Sequence, residues 1–256
     1  QQLNDAKLLP IHTTNEYEIS NSLSFVKSID IQNISHRYDS ETISLHNISI
    51  SIKKGESIGI IGKSGAGKST LVDVILGLLA PTSGAIAVDG NSIYENLIGW
   101  QQIVGYVQQD VFLLDDSILK NIAFGIHEEN IDYERLYQVV NETQLDDFVY
   151  ALSEGLNTQL GERGLRLSGG QKQRIGIARA LYHKSSVLVF DEATSALDTE
   201  TETEIMSEIS NLKGDQTIIV IAHRLSTLKH CDRILELSKG SIVNTYQGIE
   251  MEKLVK

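Results

Sequence analysis

The sequence predicts an α/β fold: a mostly parallel sheet, an antiparallel β edge near the N-terminus and a helical insertion in the middle of the chain. Three observations predict it. Two N-terminal runs, Phe25–Ile31 and Ile43–Ile52, alternate apolar and polar residues, the pattern of half-buried antiparallel strands. Short continuous apolar runs at Ser57–Ile61, Val187–Phe190 and Thr217–Ile221 fit strands buried on both faces. Between about Asp116 and Leu181, apolar residues recur at three- and four-residue spacing, as one face of a helix requires.

Taken in order, the Ser57–Ile61 run ends in glycine and feeds a loop, after which Thr70–Gly77 reads as a helix. In the insertion, Asp132–Val140 and Gln144–Leu152 carry helical periodicity, and Gly169–Tyr182 reads as a longer helix opening on a glycine pair. Arg233–Leu237 and Ser241–Thr245 flank Lys239-Gly240 as a hairpin. No internal repeat or low-complexity tract interrupts this order.

With 256 residues, 41% of them hydrophobic and 22% charged, the chain can bury a substantial core. Its net charge of −12 repels nucleic acid and is a poor match for an anionic lipid surface. The one cysteine, Cys231, allows no internal disulfide, which suits a reducing compartment. No stretch approaches the roughly 18–20 apolar residues that span a bilayer, and no basic segment followed by an apolar one opens the chain. The chain begins at Gln1 and its first methionine is Met206, which suggests a piece of a longer polypeptide. Residues 1–23 are polar and aperiodic and are expected to be a linker, with one domain over 24–256.

Gly62-Lys63-Ser64-Gly65-Ala66-Gly67-Lys68-Ser69 matches the G-x-x-x-x-G-K-[ST] phosphate loop, with a buried strand before it and a helix, from Thr70, after it. The glycines let backbone N–H groups turn inward as a nest for phosphate oxygens, and the helix N-terminus adds partial positive charge. Lys68 can reach the β- and γ-phosphates, and the Ser69 hydroxyl can ligate Mg²⁺. This identifies a P-loop NTPase core; kinases, GTPases and motors all share it.

The Val187–Phe190 strand runs into Asp191 and Glu192. At such a strand end Asp191 is placed to hold Mg²⁺, and Glu192 to orient and deprotonate an attacking water. A second carboxylate there favours hydrolysis over transfer. Leu167-Ser168-Gly169-Gly170-Gln171, at a helix N-terminus, makes another anion site. One ATP has one γ-phosphate. Head-to-tail pairing of two chains gives both sites a role, each ATP lying between the loop of one protomer and the Ser-Gly-Gly segment of the other.

With these residues the chain resembles the ATP-binding cassette family from about Phe25 to Lys256, Leu167–Gln171 matching its signature motif. The resemblance implies further roles. Tyr38 corresponds to the aromatic that stacks on adenine. Gln109, rather than Gln108, corresponds to the glutamine that senses Mg²⁺ and couples to the membrane domain. Ser195-Ala196-Leu197-Asp198 corresponds to the D-loop at the dimer interface, and His223 to the switch histidine that contacts the γ-phosphate. Expected cofactors are ATP and Mg²⁺. Expected partners are the protein's own transmembrane domain and a second nucleotide-binding domain, as a homodimer, at the cytoplasmic face of the inner membrane. Nucleic acid is not a partner, and membrane association runs only through the transmembrane domain. Gly161-Glu162-Arg163-Gly164 resembles the exporter-type loop, and Trp100–Gly125 is similar to bacterial lipid-linked oligosaccharide flippases and polysaccharide exporters.

Other features read as structural. His230-Cys231-Asp232 is a turn before a strand, since three consecutive side chains rarely converge on one metal. Glu200, Glu202 and Glu204 are expected to favour a helix dipole and face solvent. Lys172 and Arg174 decorate a helix face, and Trp100 packs. Competing readings are an importer subunit, a soluble cassette ATPase serving ribosomes or DNA repair, and a binding-only module. The last conflicts with Glu192 and His223 both being present.

Overall fold

A computed structural model of the chain describes residues 23–38, 43–165, 167–194, 196–212, 214–222 and 224–254. In chain order the elements begin β1 (Ser28–Arg37), β2 (Ile43–Lys53), β3 (Ser57–Ile61), α1 (Lys68–Ile75), β4 (Ser83–Val88), β5 (Asn91–Ser92), α2 (Leu97–Gln102) and β6 (Val104–Val107). Then come α3 (Ile118–Ile122), α4 (Tyr133–Glu142), α5 (Asp146–Tyr150), α6 (Gly169–Tyr182) and β7 (Val187–Asp191). The chain closes with α7 (Thr199–Asn211), β8 (Thr217–Ile221), β9 (Arg233–Ser238), β10 (Ser241–Gln247) and α8 (Gly248–Leu254).

Two sheets result. One is four-stranded and antiparallel, in the order β2-β1-β4-β5; the other is six-stranded, in the order β10-β9-β3-β8-β7-β6. Within the second, β9, β3, β8, β7 and β6 run parallel, and only the edge strand β10 is antiparallel. The expected parallel core, antiparallel edge and helical insertion are all present.

Side-chain alternation divides the large sheet between two cores. Leu188, Phe190, Ile218, Val220 and Ile234 pack with the buried residues of α3, α4, α6 and α7. Their strand neighbours Val187, Val189, Ile219, Ile221 and Leu235 join Ile58, Ile60, the apolar residues of α1 and the antiparallel sheet. The helix after the phosphate loop therefore lies on one face of the sheet and α6 on the other.

Several boundaries differ from the sequence expectation, each for a local reason. The strand expected from Phe25 starts at Ser28, because the amides of Val26, Lys27 and Ser28 donate to the Asp89 carboxylate at 2.6–2.9 Å. Strict alternation also fails within β1 and β2. Buried Ile29 and Ile31 are followed by Ile34, and Leu45 by Ile48, a phase change at Asn33 and Asn47. Both asparagines are left-handed (φ 50°), and their amides donate across the ladder to Ser49 Oγ and Ser35 Oγ, each at 3.0 Å. Such paired bulges keep isoleucines inward on both sides of the kink. The Gln144–Leu152 helix shortens to Asp146–Tyr150, since Gln144 is itself left-handed (φ 53°). Trp100 packs as expected, fully buried, with Nε1 donating to Ile75 O at 2.8 Å.

Candidate nucleotide-binding site

Four parallel strands, β3, β8, β7 and β6, end side by side, and the segments leaving their carboxyl ends carry the phosphate loop, residue 223, Asp191-Glu192 and Gln109. Ligands of open parallel sheets bind at that edge.

The phosphate loop is held by the first residues of β2 and the β9–β10 turn. Gly240 N donates to Ala66 O (2.9 Å) and His46 N to Gly240 O (2.8 Å). A Cβ on Gly62 would lie 2.4 Å from Leu237 O, and one on Gly67 (φ 104°) 2.6 Å from Ser44 O. Gly65 has open space around it. Ser64 and Ser69 are exposed, while Ala66 and Thr70 are buried. Lys68 is 7% exposed, and its Nζ donates to Gly62 O at 2.9 Å and Lys63 O at 3.5 Å. Its ammonium thus spans the inside of its own loop, where phosphate oxygens can replace those carbonyls.

Tyr38 is half-exposed; its hydroxyl hydrogen-bonds Thr70 Oγ1 at 3.1 Å and its ring meets the edge of His36. The first turn of α1 therefore anchors it beside the phosphate loop.

Asp191 closes β7 opposite Ile221 of β8. The Tyr106 hydroxyl donates to its Oδ2 at 3.3 Å. Burial raises the Tyr106 pKa, and the charges of Asp191 and Asp73 raise it further. Glu192, next in the chain, is left-handed (φ 50°) and donates its amide to Ile221 O at 3.0 Å. A residue in extended conformation there would continue β7; this turn takes the second carboxylate out of the strand's alternation. Among the described residues no group of three or more His, Cys, Asp and Glu side chains could hold a metal ion. The carboxylate of Asp191 and the hydroxyl of Ser69 are hard oxygen donors, the kind that suits Mg²⁺ bound by one carboxylate and substrate phosphates.

Asp73 of α1 is pushed above the usual carboxylate range by burial and then by the charge of Asp191, with His36 opposing. A carboxyl whose pKa is raised by folding binds its proton more tightly in the native state, so stability falls as pH rises through the carboxylate range. Asp73→Asn is therefore expected to melt higher than the parent at neutral pH. The difference should close in more acidic buffer, below that range, as thermal melts from about pH 3 to about pH 8 would read.

The second glycine-rich segment is firmly built. Ser168 caps α6 in a reciprocal box: its Oγ accepts from Gln171 N (3.2 Å), and its own amide donates to Gln171 Oε1 (2.8 Å). A Cβ on Gly169 would touch Ala196 Cβ at 3.2 Å, and one on Gly170 would meet Leu197 at 3.4 Å. Asp198 caps α7, accepting from Thr201 N at 3.0 Å, and this bond holds its carboxyl below the usual range. Within one chain, then, Ser168, Gln171 and Asp198 spend these side-chain bonds on helix ends. The structure does not bring them to the phosphate loop: α6 packs on α3, α4 and β6, whereas α1 packs on β2 and β7.

Gln109 is exposed, as is Gln108. Its carbonyl accepts from Nε2 of Gln173, a nearly buried residue of α6 whose Oε1 accepts from Ala196 N at 3.0 Å. No sequence motif singles out Gln173, which stands two residues past Gln171; its burial appears only in the folded chain. Ser195 and His223 lie outside the described residues, as does nearly all of the 1–23 segment.

A family model described as "ABC transporter" matches residues 45–195. The chain is 41% identical over 216 residues to an ATP-dependent lipid A-core flippase of Saccharophagus degradans, covering 84% of this chain and 36% of the flippase. It is 44% identical over 245 residues to the leukotoxin translocation ATP-binding protein LktB of Mannheimia glucosida, covering 94% of this chain and 34% of LktB. The chain thus spans about a third of the length of these curated relatives. The structure of a bacterial Atm1-family ABC exporter with ATP bound superposes with a TM-score of 0.85 at 36% identity, covering 91% of this chain and 41% of that one. With the phosphate loop, paired carboxylates and capped signature segment in family order on this fold, the chain belongs to the ABC transporter family.

Proposed function

We propose that two copies of this domain close head to tail on two Mg·ATP molecules and that the cycle of closure and hydrolysis drives an exporter. The observation that carries this reading is the placement of α1 and α6 on opposite faces of the parallel sheet. One chain offers two anion-binding helix starts that do not meet, and a second copy turned head to tail supplies the missing half of each site.

In this reading the amides of Gly62 to Ser69 cradle the phosphates, Ser64 to Thr70 line them, and Tyr38 stacks on the base. Lys68 exchanges its loop carbonyls for phosphate oxygens. Ser69, Asp191 and Gln109 would hold Mg²⁺, which when bound offsets phosphate charge. Glu192 orients the attacking water and takes its proton, and His223 contacts the γ-phosphate. Ser168, Gly169, Gly170 and Gln171 meet the partner's ATP, and Asp198 lies at the interface. Each ATP is held by residues of both copies, so hydrolysis loosens the pair. Residues 24–256 form the domain and 1–23 lead into it from a transmembrane domain, at the cytoplasmic face of the inner membrane. The likeness to a lipid A-core flippase points to a lipid-linked saccharide as cargo.

The test is the solution mass of Glu192→Gln by light scattering, with and without Mg·ATP. Doubling of mass only with ATP is expected. A monomer under both conditions, with ATP binding confirmed, would count against closure driven by ATP alone.

A further inference from the structure

Glu202 breaks the expectation that the acidic run at the start of α7 faces solvent. Glu200 and Glu204 are exposed, but the Glu202 side chain is 4% exposed. A buried carboxylate is costly unless its oxygens are fully engaged. Here they are engaged from two loops at once. Oε1 accepts from the hydroxyls of Thr194 and Thr227, both at 2.7 Å, and Oε2 accepts from the Arg224 guanidinium at 2.7 Å. Burial alone would push the carboxyl up, but these bonds outweigh it and hold it below the usual range. It is therefore ionised at neutral pH.

The donors come from the two loops that serve hydrolysis. Thr194 stands two residues after Glu192, on the segment from β7 to α7. Arg224 and Thr227 stand on the segment from β8 to β9, Arg224 being next in sequence to His223. Arg224 also approaches Leu197 O, on the first of these segments, at 3.5 Å. None of the phosphate-loop residues bonds to Glu202 in these contacts. One carboxylate thus fastens the loop bearing the water-activating glutamate to the loop bearing the switch histidine, and leaves the ATP cradle alone.

We propose that Glu202 is a positioning residue for hydrolysis: it fixes the spacing of the two catalytic loops and acts on turnover rather than on ATP affinity. This rests on the role given to Glu192 above. Mutual placement of reacting groups is worth orders of magnitude in rate, so an unfastened pair of loops slows chemistry without weakening binding.

The test uses Glu202→Gln in the 256-residue chain. The amide keeps the shape, and its oxygen can still accept from both threonines, but its NH₂ faces Arg224 and the ion pair is lost. Steady-state phosphate release should fall about tenfold or more, with the affinity for a fluorescent ATP analogue within about twofold of the parent. Glu200→Gln, exposed on the same helix, should match the parent in both. Arg224→Gln should also slow turnover, and the double variant Glu202→Gln/Arg224→Gln should be no slower than Glu202→Gln alone. Parental turnover in Glu202→Gln, or strictly additive losses in the double variant, would overturn the proposal. Should Glu202→Gln fail to fold, Thr194→Val carries the same test: slowed turnover at parental affinity supports the clamp, and parental turnover overturns it. A Glu192→Gln control separates the two readings. If it turns over normally, the role of Glu192 fails. If it is inactive while Glu202→Gln is normal, only the clamp fails.

Discussion

Glu192→Gln is expected to lower ATP turnover by about two orders of magnitude or more while leaving ATP affinity within about twofold, the range for removing a general base from a reacting water. The residue follows the strand end at Asp191 and is held in a left-handed turn by the hydrogen bond that its amide donates to Ile221 O. A non-glycine residue pays roughly 1–2 kcal/mol for that conformation. The glutamine has the same backbone preferences and volume, so the turn survives and only proton acceptance is lost. The phosphate contacts, on the loop between β3 and α1 and on the first turn of α1, are untouched. Phosphate release and equilibrium binding measured on one preparation decide the matter; equal losses in both would show Glu192 to be a binding residue instead.

A larger loss of binding is expected from Gly67→Ala. Its Cβ would sit 2.6 Å from Ser44 O, a backbone atom that cannot swing aside, at φ 104°, where an alanine is also strained. The loop must shift off β2, and with it the amides that open α1. ATP affinity should fall by about a hundredfold or more, comparable to losing two or three charge-assisted hydrogen bonds. Gly65→Ala is the control. It is left-handed too (φ 77°) but has no protein atom within 4 Å, so against the protein it carries only the conformational cost, about 1 kcal/mol, and should lose less ATP affinity than Gly67→Ala. Isothermal titration of both variants reads the difference. Equal losses would mean that loop conformation, rather than the contact with β2, governs binding.

What the sequence made legible follows from how strongly each signal is local. β3, β8 and α6 fall on their expected bounds, because continuous isoleucine and valine runs ending in turns suit strands buried on both faces, and a Ser-x-x-Gln box fixes where α6 starts. The paired bulges at Asn33 and Asn47 were not legible: each asparagine takes its conformation from a serine on the neighbouring strand. β6, four residues long, has too little sequence to show a period, and its strand state comes from pairing with β7. The phosphate loop and Asp191-Glu192 could be read because their chemistry sits within a few consecutive residues. The links among loops, through Gln173 and Glu202, join positions 22 to 64 residues apart and exist only once the chain folds, except that Thr194 and Glu202 lie 8 residues apart. For the same reason the acidic run of α7 read as a solvated face, and one of its three glutamates is instead turned inward.

The bracing of the phosphate loop by the β9–β10 turn bears on kinetics. Gly240 bonds to Ala66 while its own carbonyl holds His46, so the loop is tied to strands far from it in sequence. A loop so tied carries little disorder to lose when a nucleotide arrives, and the entropic penalty of capture is correspondingly small. Encounter, rather than refolding of the loop, would then set how fast ATP enters.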